Sequence, residues 1–264
     1  MAFKHITSRD NPVFKHLKKL AENARERRRE SATLLDGVHL IEAYYQVFGE
    51  PQMLIIPEGK SSLEATQLLQ QLQDVNTLMF PTLMFAELTP VASSTGILAM
   101  VNIPRLPIPE HADFVLALED IQDPGNMGSM LRTAAAAGVQ VVYLSKGCTD
   151  AWSPKALRGG QGAQFVLPII EQADLPTTLA NFHGKRFAMT IQGQSLYSQD
   201  LVSPSLFVVG NEGAGISHAV SNAVDAAITI PMANVSTLAV ESLNAAAATA
   251  VCLFECQRQR SEAK

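Results

Sequence analysis

The sequence predicts an α/β protein: a C-terminal, mainly parallel sheet with helices on both faces, preceded by a smaller α/β domain. Three observations predict it. Short apolar runs such as Phe114–Leu118 and Leu206–Val209 lack clean polar–apolar alternation, which suits strands buried on both faces. These runs alternate with helical patterns, the order expected of a parallel sheet. Pro104, Pro107 and Pro109 fall close together between Asn102 and Ala112, a spacing that suppresses helix and suits an extended linker. A chain of 264 residues, 47% of them apolar, has room for two cores. The expected domains are residues 1–104, a Pro-rich linker at 105–112, and 113–264.

Asn11 to about Arg29 reads as one helix. Asn11-Pro12 supplies an N-cap followed by Pro at the first helical position, and Phe14, Leu17, Lys18, Leu20 and Ala21 have the spacing of one stripe. Thr33–Asp36 is a short strand turned by Gly37, and Val38–Val47 is a helix. Met53–Ile56 is a buried-type strand stopped by Pro57. Ser62–Leu72 is helical, Thr77–Phe80 a strand, Thr82–Leu88 a helix and Gly96–Val101 a strand. Beyond the linker, strands are predicted at Phe114–Leu118, Gln140–Leu144, Gln164–Leu167, Phe187–Ile191, Leu206–Val209 and Ala227–Ile230. Helices are predicted at Gly128–Ala137, Ser153–Leu157, Leu175–Asn181, Ile216–Ala223 and Leu243–Glu255.

No apolar run reaches the ~18 residues of a spanning helix, and the N-terminus lacks the apolar core of a signal peptide, so a cytoplasmic protein is expected. Three cysteines without a CxxC pair support neither a disulfide frame nor a zinc knuckle, and no metal is expected. Cys252 and Cys256 share a predicted helix face, either as a redox or metal pair or, the preferred reading, as buried thiols.

The net charge of −5 argues against a nucleic-acid partner, but its distribution argues for one. Residues 1–29 hold nine Lys or Arg against three acids, a local balance of +6 that leaves −11 on the other 235. Phosphate contacts act over about a Debye length, ~8 Å, so clustering outweighs the total. Lys18, Lys19, Arg25, Arg27, Arg28 and Arg29 are the candidate nucleic-acid contacts; the plain alternative is a solvated basic helix.

Three polar patches sit where predicted strands end, the edge of an open α/β sheet at which ligands bind. The first, Asp123-Pro-Gly-Asn126-Met-Gly128, runs into a helix carrying Arg132. Asn126 and Arg132 suit a ribose-phosphate, the guanidinium a phosphate especially; simple helix capping competes with this. The second, Gly210-Asn211-Glu212-Gly213-Ala-Gly215, resembles a nucleotide loop, but it has neither GxGxxG nor the Lys of a P-loop. Glu212 there favours a neutral or cationic ligand. The third joins Ile230-Pro231-Met232 to Ser242-Leu243-Asn244, with Ser242 placed as an N-cap of an Ala-rich helix. A dehydrogenase would want GxGxxG after the first strand and an acid ~20 residues later, a fingerprint absent here.

Together the patches resemble the SpoU (TrmH-type) RNA ribose 2′-O-methyltransferases of the SPOUT superfamily. The likeness rests on Asp123–Ala134, Val209–Ser217, Ile230–Met232 and Ser242–Asn244, and spans Phe114 to about Arg260. The N-terminal part resembles the small substrate-binding domain often attached to such enzymes. The resemblance implies a deep trefoil knot, S-adenosyl-L-methionine as cofactor, a homodimer through the knot region, and RNA as substrate, ribosomal first and transfer second. By position, Gly210, Ile230 and Leu243 contact the cofactor, with Met232, Thr190, Gln192 and Gly193 secondary. Asn126, Arg132, Glu212, Ser242 and Asn244 match the polar active-site positions. Two departures stand out: nine residues, Ala233–Glu241, separate Met232 from Ser242, and Arg158 is followed by glycines that should loosen its loop.

The implied reaction moves a methyl from a sulfonium to a ribose 2′-hydroxyl by in-line displacement. The leaving group becomes neutral, so the demands fall on aligning the alcohol and taking its proton. A guanidinium stays protonated in ordinary surroundings, which favours Arg132 as a phosphate anchor over a base. An RNA-binding protein without catalysis, on the same fold, is the remaining rival.

Overall fold

The computed structural model describes residues 3–59, 61–89, 96–233 and 242–263; the stretch 234–241, most of the long segment before Ser242, lies outside them. The chain divides into two compact units: Met1–Arg105 with Asp150–Phe165, and Leu106–Thr149 with Val166–Lys264.

In chain order the first unit contains β1 (Lys4–His5), α1 (Pro12–Glu22), α2 (Ala24–Glu30), β2 (Ala32–Asp36), α3 (Val38–Phe48), β3 (Met53–Pro57), α4 (Leu63–Gln71), β4 (Thr77–Phe80), α5 (Thr82–Ala86) and β5 (Leu98–Asn102). Its sheet is mixed, in the order β1-β4-β3-β5-β2, with β5 antiparallel to both its neighbours. Phe14, Leu17 and Leu20 of α1 enter a core with Leu34, Ile55 and Phe80.

The single helix expected over Asn11–Arg29 is two. The Asn23 N–H donates to the Lys19 carbonyl and closes α1, while its side chain accepts from the N–H of Arg25 (2.9 Å) and opens α2. Asn competes for backbone donors in this way, which is why it favours caps over helix interiors.

The second unit begins with β6 (Phe114–Leu118), α6 (Pro124–Ala137) and β7 (Val141–Ser145). The chain then supplies α7 (Pro154–Gly160) to the first unit. It returns as β8 (Ile169–Ala173), α8 (Leu175–Ala180), β9 (Lys185–Ser195), β10 (Ser205–Val209), α9 (His218–Ser221), β11 (Ala226–Thr229) and α10 (Ala245–Glu262). All six strands are parallel, in the order β11-β9-β10-β6-β7-β8. Every residue of β6 and β10 is buried, as a two-sided sheet requires. One face packs Val115, Ala117, Leu206 and Val208 against Leu175, Leu179 and Val220 of α8 and α9. The other carries Phe207, whose ring meets those of both Phe114 and Phe187. There Arg260 of α10 lies 4.8 Å over the Phe114 ring, and α10 packs on α6.

The strand expected at Gln164–Leu167 is instead a 3₁₀ turn over Ala163–Phe165, and β8 starts only after Pro168. Gln164 is fully buried, with its amide donating to the carbonyls of Ala151 (3.1 Å) and Ala156 (3.3 Å). Such a side chain satisfies buried backbone that a ladder would otherwise serve. The glycines after Arg158 do not loosen that segment either. Gly159 and Gly160 complete α7, and Gly160 is buried so close to Gln164 that an added Cβ would lie 2.2 Å from its Oε1. No helix among the described residues is long and apolar enough to cross a membrane.

Candidate active site

From β6 the strand order runs one way through β7 and β8 and the other way through β10, β9 and β11. Loops leaving the carboxyl ends of β6 and β10 therefore diverge, which opens a crevice at the junction. Leu118 and Val209, the last residues of those strands, are register partners.

The loop after β6 leads into α6, where the Asp123 side chain accepts from the Asn126 N–H (2.8 Å) and Pro124 occupies the first turn. Capping by Asp123 leaves the Asn126 side chain free to face away from its own helix. Its Nδ2 donates to Glu212 Oε1 (3.1 Å), and its Oδ1 accepts from Asn244 Nδ2 (3.2 Å). An acceptor on one side and a donor on the other fix a single orientation of that amide.

The loop after β10 closes on itself. Asn211 and Gly215 exchange backbone hydrogen bonds of 2.9 Å in both directions, and Asn211 Oδ1 accepts from the N–H groups of Gly213 and Ala214. An added Cβ on Gly210 would lie 2.4 Å from the Gly215 backbone, so only glycine fits there. Glu212 sits on this loop, exposed. Burial works against its charged form, but donors from Asn126 and from the backbone of Glu212, Gln122 and Asp123 outweigh it and hold the carboxyl below the usual range.

The third patch corrects one expectation. Asn244, not Ser242, caps α10, accepting from the N–H groups of Ala246 (2.9 Å) and Ala247 (3.3 Å). A single Asn side chain thus starts the helix with its oxygen and holds Asn126 with its nitrogen. A fourth segment joins from β9. Ala188 pairs with Ala227 and Gln194 with Ile228, the next residue of β11, so Met189–Gly193 bulge out between the two paired stretches. Gly193 passes so near β11 that a Cβ would sit 2.5 Å from the Ala227 carbonyl oxygen.

These segments enclose a cavity of about 910 Å³, lined among others by Asn126, Thr190, Gly210, Glu212, Ile230, Met232, Ser242, Leu243 and Asn244. Arg132, Gln192 and Gly193 do not line it. Met189, Ile191 and Asn211 do, and sequence reasoning assigned them no role. Their contribution comes from the bulge and the closed loop, neither of which a motif reveals. Cys252 also reaches the wall; burial, then the neighbouring Cys256, pushes its thiol up to about 12, and burial pushes Cys256 up to about 11. Both stay protonated at neutral pH, so neither offers a thiolate.

Arg132 stands exposed on α6, six residues after Asn126. Lys185, Arg186, Arg258 and Arg260 of this unit each hold a carboxylate or carbonyl. Arg132 and Lys146 have no such partner among the described residues. In the first unit the predicted RNA contacts separate. Among the described residues Lys19, Arg25 and Arg28 are exposed without an ion pair, whereas Arg29 pairs with Glu26 and Glu30, and Lys18 with Glu87. Arg27 must be withdrawn from the set. It is 3% exposed, pairs with Asp150 at 2.6 Å and donates to the carbonyls of Leu20 and Ala21.

A parallel sheet with an amide–carboxylate relay beside a deep cavity at its carboxyl edge defines an α/β enzyme acting on a small ligand. Residues 113–254 match the SpoU rRNA Methylase family, and the chain belongs to that family. It is 34% identical to an uncharacterized tRNA/rRNA methyltransferase of Synechocystis sp., over 97% of this chain and 94% of the relative. It is 30% identical to the 23S rRNA (guanosine(2553)-2′-O)-methyltransferase RlmP of Bacillus subtilis, over 95% and 98%. The crystal structure of the SpoU methyltransferase AviRb from Streptomyces viridochromogenes, in complex with the cofactor AdoMet, superposes with a TM-score of 0.81 at 26% identity, covering 95% of this chain and 98% of that one.

Proposed function

We propose that this protein is an S-adenosyl-L-methionine-dependent RNA methyltransferase that modifies a ribose 2′-hydroxyl, of ribosomal RNA in the first instance and transfer RNA in the second. The observation that carries the reading is the Asn244–Asn126–Glu212 relay at the mouth of the cavity.

The cavity fits the cofactor. Its volume of about 910 Å³ lies within the ~300–1,000 Å³ of small-molecule sites. Among the described residues its wall carries no Lys or Arg but does carry the Glu212 carboxylate, which suits a sulfonium and not a triphosphate. Gly210, Ile230 and Leu243 would hold the ligand largely through backbone, with Met232 and Thr190 closing around it. When bound, S-adenosyl-L-methionine supplies a methyl group on a positively charged sulfur.

This chain's residues do the rest. Glu212, held by those donors, orients the Asn126 amide, and Asn126 with Asn244 aligns the ribose hydroxyl. Arg132 grips a phosphate beside the target ribose and stabilises charge developing on the 2′-oxygen. Ser242 completes the polar rim. In this reading the first unit recruits RNA through Lys19, Arg25 and Arg28, and the second unit carries the transfer. A trefoil knot in that last part, a homodimer through it and a cytoplasmic setting belong to the same proposal.

Calorimetric titration with S-adenosyl-L-methionine and S-adenosylhomocysteine tests it. Saturable binding at one site per chain is expected, and loss of both on Glu212→Lys. A well-folded protein that binds neither would leave RNA binding without catalysis.

A further inference from the structure

Glu212 is gripped by backbone, and that backbone is itself held in an unusual shape. Asp120, directly after Glu119 in the loop following β6, has φ +53, a left-handed conformation uncommon for a residue with a Cβ. In that position its carbonyl oxygen receives two side-chain amides, Gln122 Nε2 (3.1 Å) and Asn211 Nδ2 (2.8 Å). Its N–H donates to Ser145 Oγ (2.9 Å), and the same hydroxyl donates back to Asp120 Oδ1. Gln122 reaches further, donating also to the Gly147 carbonyl (2.8 Å). At Gly147 a Cβ would lie 2.1 Å from Asp120 Oδ1, so the Asp120 carboxylate would have to move to admit one. Loops after β6, β7 and β10 therefore meet around Asp120 and Gln122. From there the Gln122 N–H runs to Glu212 Oε2 (3.2 Å) and the Asp123 N–H to Oε1 (3.4 Å).

We propose that Gln122 is a positioning residue for the transfer reaction: its side-chain amide ties the β6 loop to the β7 loop, and its backbone N–H thereby aims Glu212 at Asn126. It does not itself line the cavity; its effect passes through Glu212, which does. This rests on the methyltransferase reading above. Nothing in the loop's fold requires the amide for burial, since Gln122 is exposed, and an exposed side chain with two directed donor bonds is engaged for orientation more than for stability.

The test compares Gln122→Ala and Gln122→Glu with the parent, in the full-length protein. Gln122→Glu keeps the length but loses the donor. The substrate is unmodified transcribed 23S rRNA with methyl-labelled S-adenosyl-L-methionine. Losing two orienting hydrogen bonds lowers kcat about tenfold in both variants, while KM for RNA and the Kd for S-adenosyl-L-methionine stay within about twofold. The second readout needs no turnover: the Glu212 side-chain carboxyl, followed by carbon NMR against pH, titrates higher in Gln122→Ala than in the parent. Parental kcat together with an unmoved Glu212 titration overturns the proposal. So does a loss of kcat that only accompanies lost cofactor affinity and a lowered Tm, which marks a structural role. If the parent methylates no RNA, the methyltransferase reading fails, and the NMR titration alone decides whether Gln122 positions Glu212.

Discussion

The two units use one side chain in opposite ways. In the first, Arg27 is buried, paired with Asp150 and bonded to two carbonyls. In the second, Arg132 is exposed and has no partner among the described residues. The first arginine completes a fold, and the second is available to a ligand. A sequence shows an Arg in a basic run and an Arg behind a glycine motif, and the run looks the more functional. The structure reverses the order for Arg27, because a charge leaves water only when it is paired. Free, exposed charge next to a satisfied polar network is the better sign of a site.

The comparison can be broken at either end. Arg27→Ala strands Asp150 in a buried site, and breaking one side of such a pair costs about 3–5 kcal/mol; thermal or urea unfolding should register it, with cofactor affinity per folded molecule unchanged. Arg132→Ala should leave the melting curve in place and reduce single-turnover methyl transfer by about 10²–10³-fold, with S-adenosyl-L-methionine affinity within a few-fold. An Arg132→Ala protein that loses cofactor binding instead would move Arg132 from the RNA side of the reaction to the cofactor side. Replacing Arg25 and Arg28 by Gln should flatten the dependence of log K for RNA on log salt by about 0.7–0.9 per charge removed, whereas an unchanged slope would place the RNA elsewhere.

The smallest effect concerns Glu212. Its folded carboxyl titrates below the usual range, so the associated stability is present above the unfolded value and is lost as pH falls through the lowered one. The Tm difference between the parent and Glu212→Gln should therefore be widest near neutrality and close in acid. A difference that widened in acid would reverse the sign of the coupling.

Most strands were legible because they centre on short apolar runs, which a sheet covered on both faces demands; β1 (Lys4–His5) and β8 (Ile169–Ala173) are short or half polar and were missed. What escaped was decided by single side chains acting on backbone. Asn23 cut one helix into two, Gln164 turned a strand-like stretch into a 3₁₀ turn, and Asn244 took the capping role that Ser242 suggested. In the site the residue types were legible, because amides, a carboxylate and a guanidinium gathered at strand ends. Their wiring was not. That Asn126 bonds Asn244 and Glu212 at once, and that Gln122 supports Glu212 from behind, depends on loops meeting across about 90 residues of sequence.

The return of Asp150–Phe165 to the first unit bears on heredity as well as on folding. Thr33 donates to the Trp152 carbonyl (2.7 Å), α7 lies on β2, and the Phe165 ring meets Tyr44 and Phe48 edge-on. The chain thus crosses between its two cores three times. A gene fragment cut at the Pro-rich stretch would carry Trp152, Leu157 and Phe165 away from the side chains that shelter them, and would leave Arg27 without its counter-ion. The Pro-rich stretch is therefore a poor place to divide the gene: the first product loses packing partners of its own core, and the second carries them without that core.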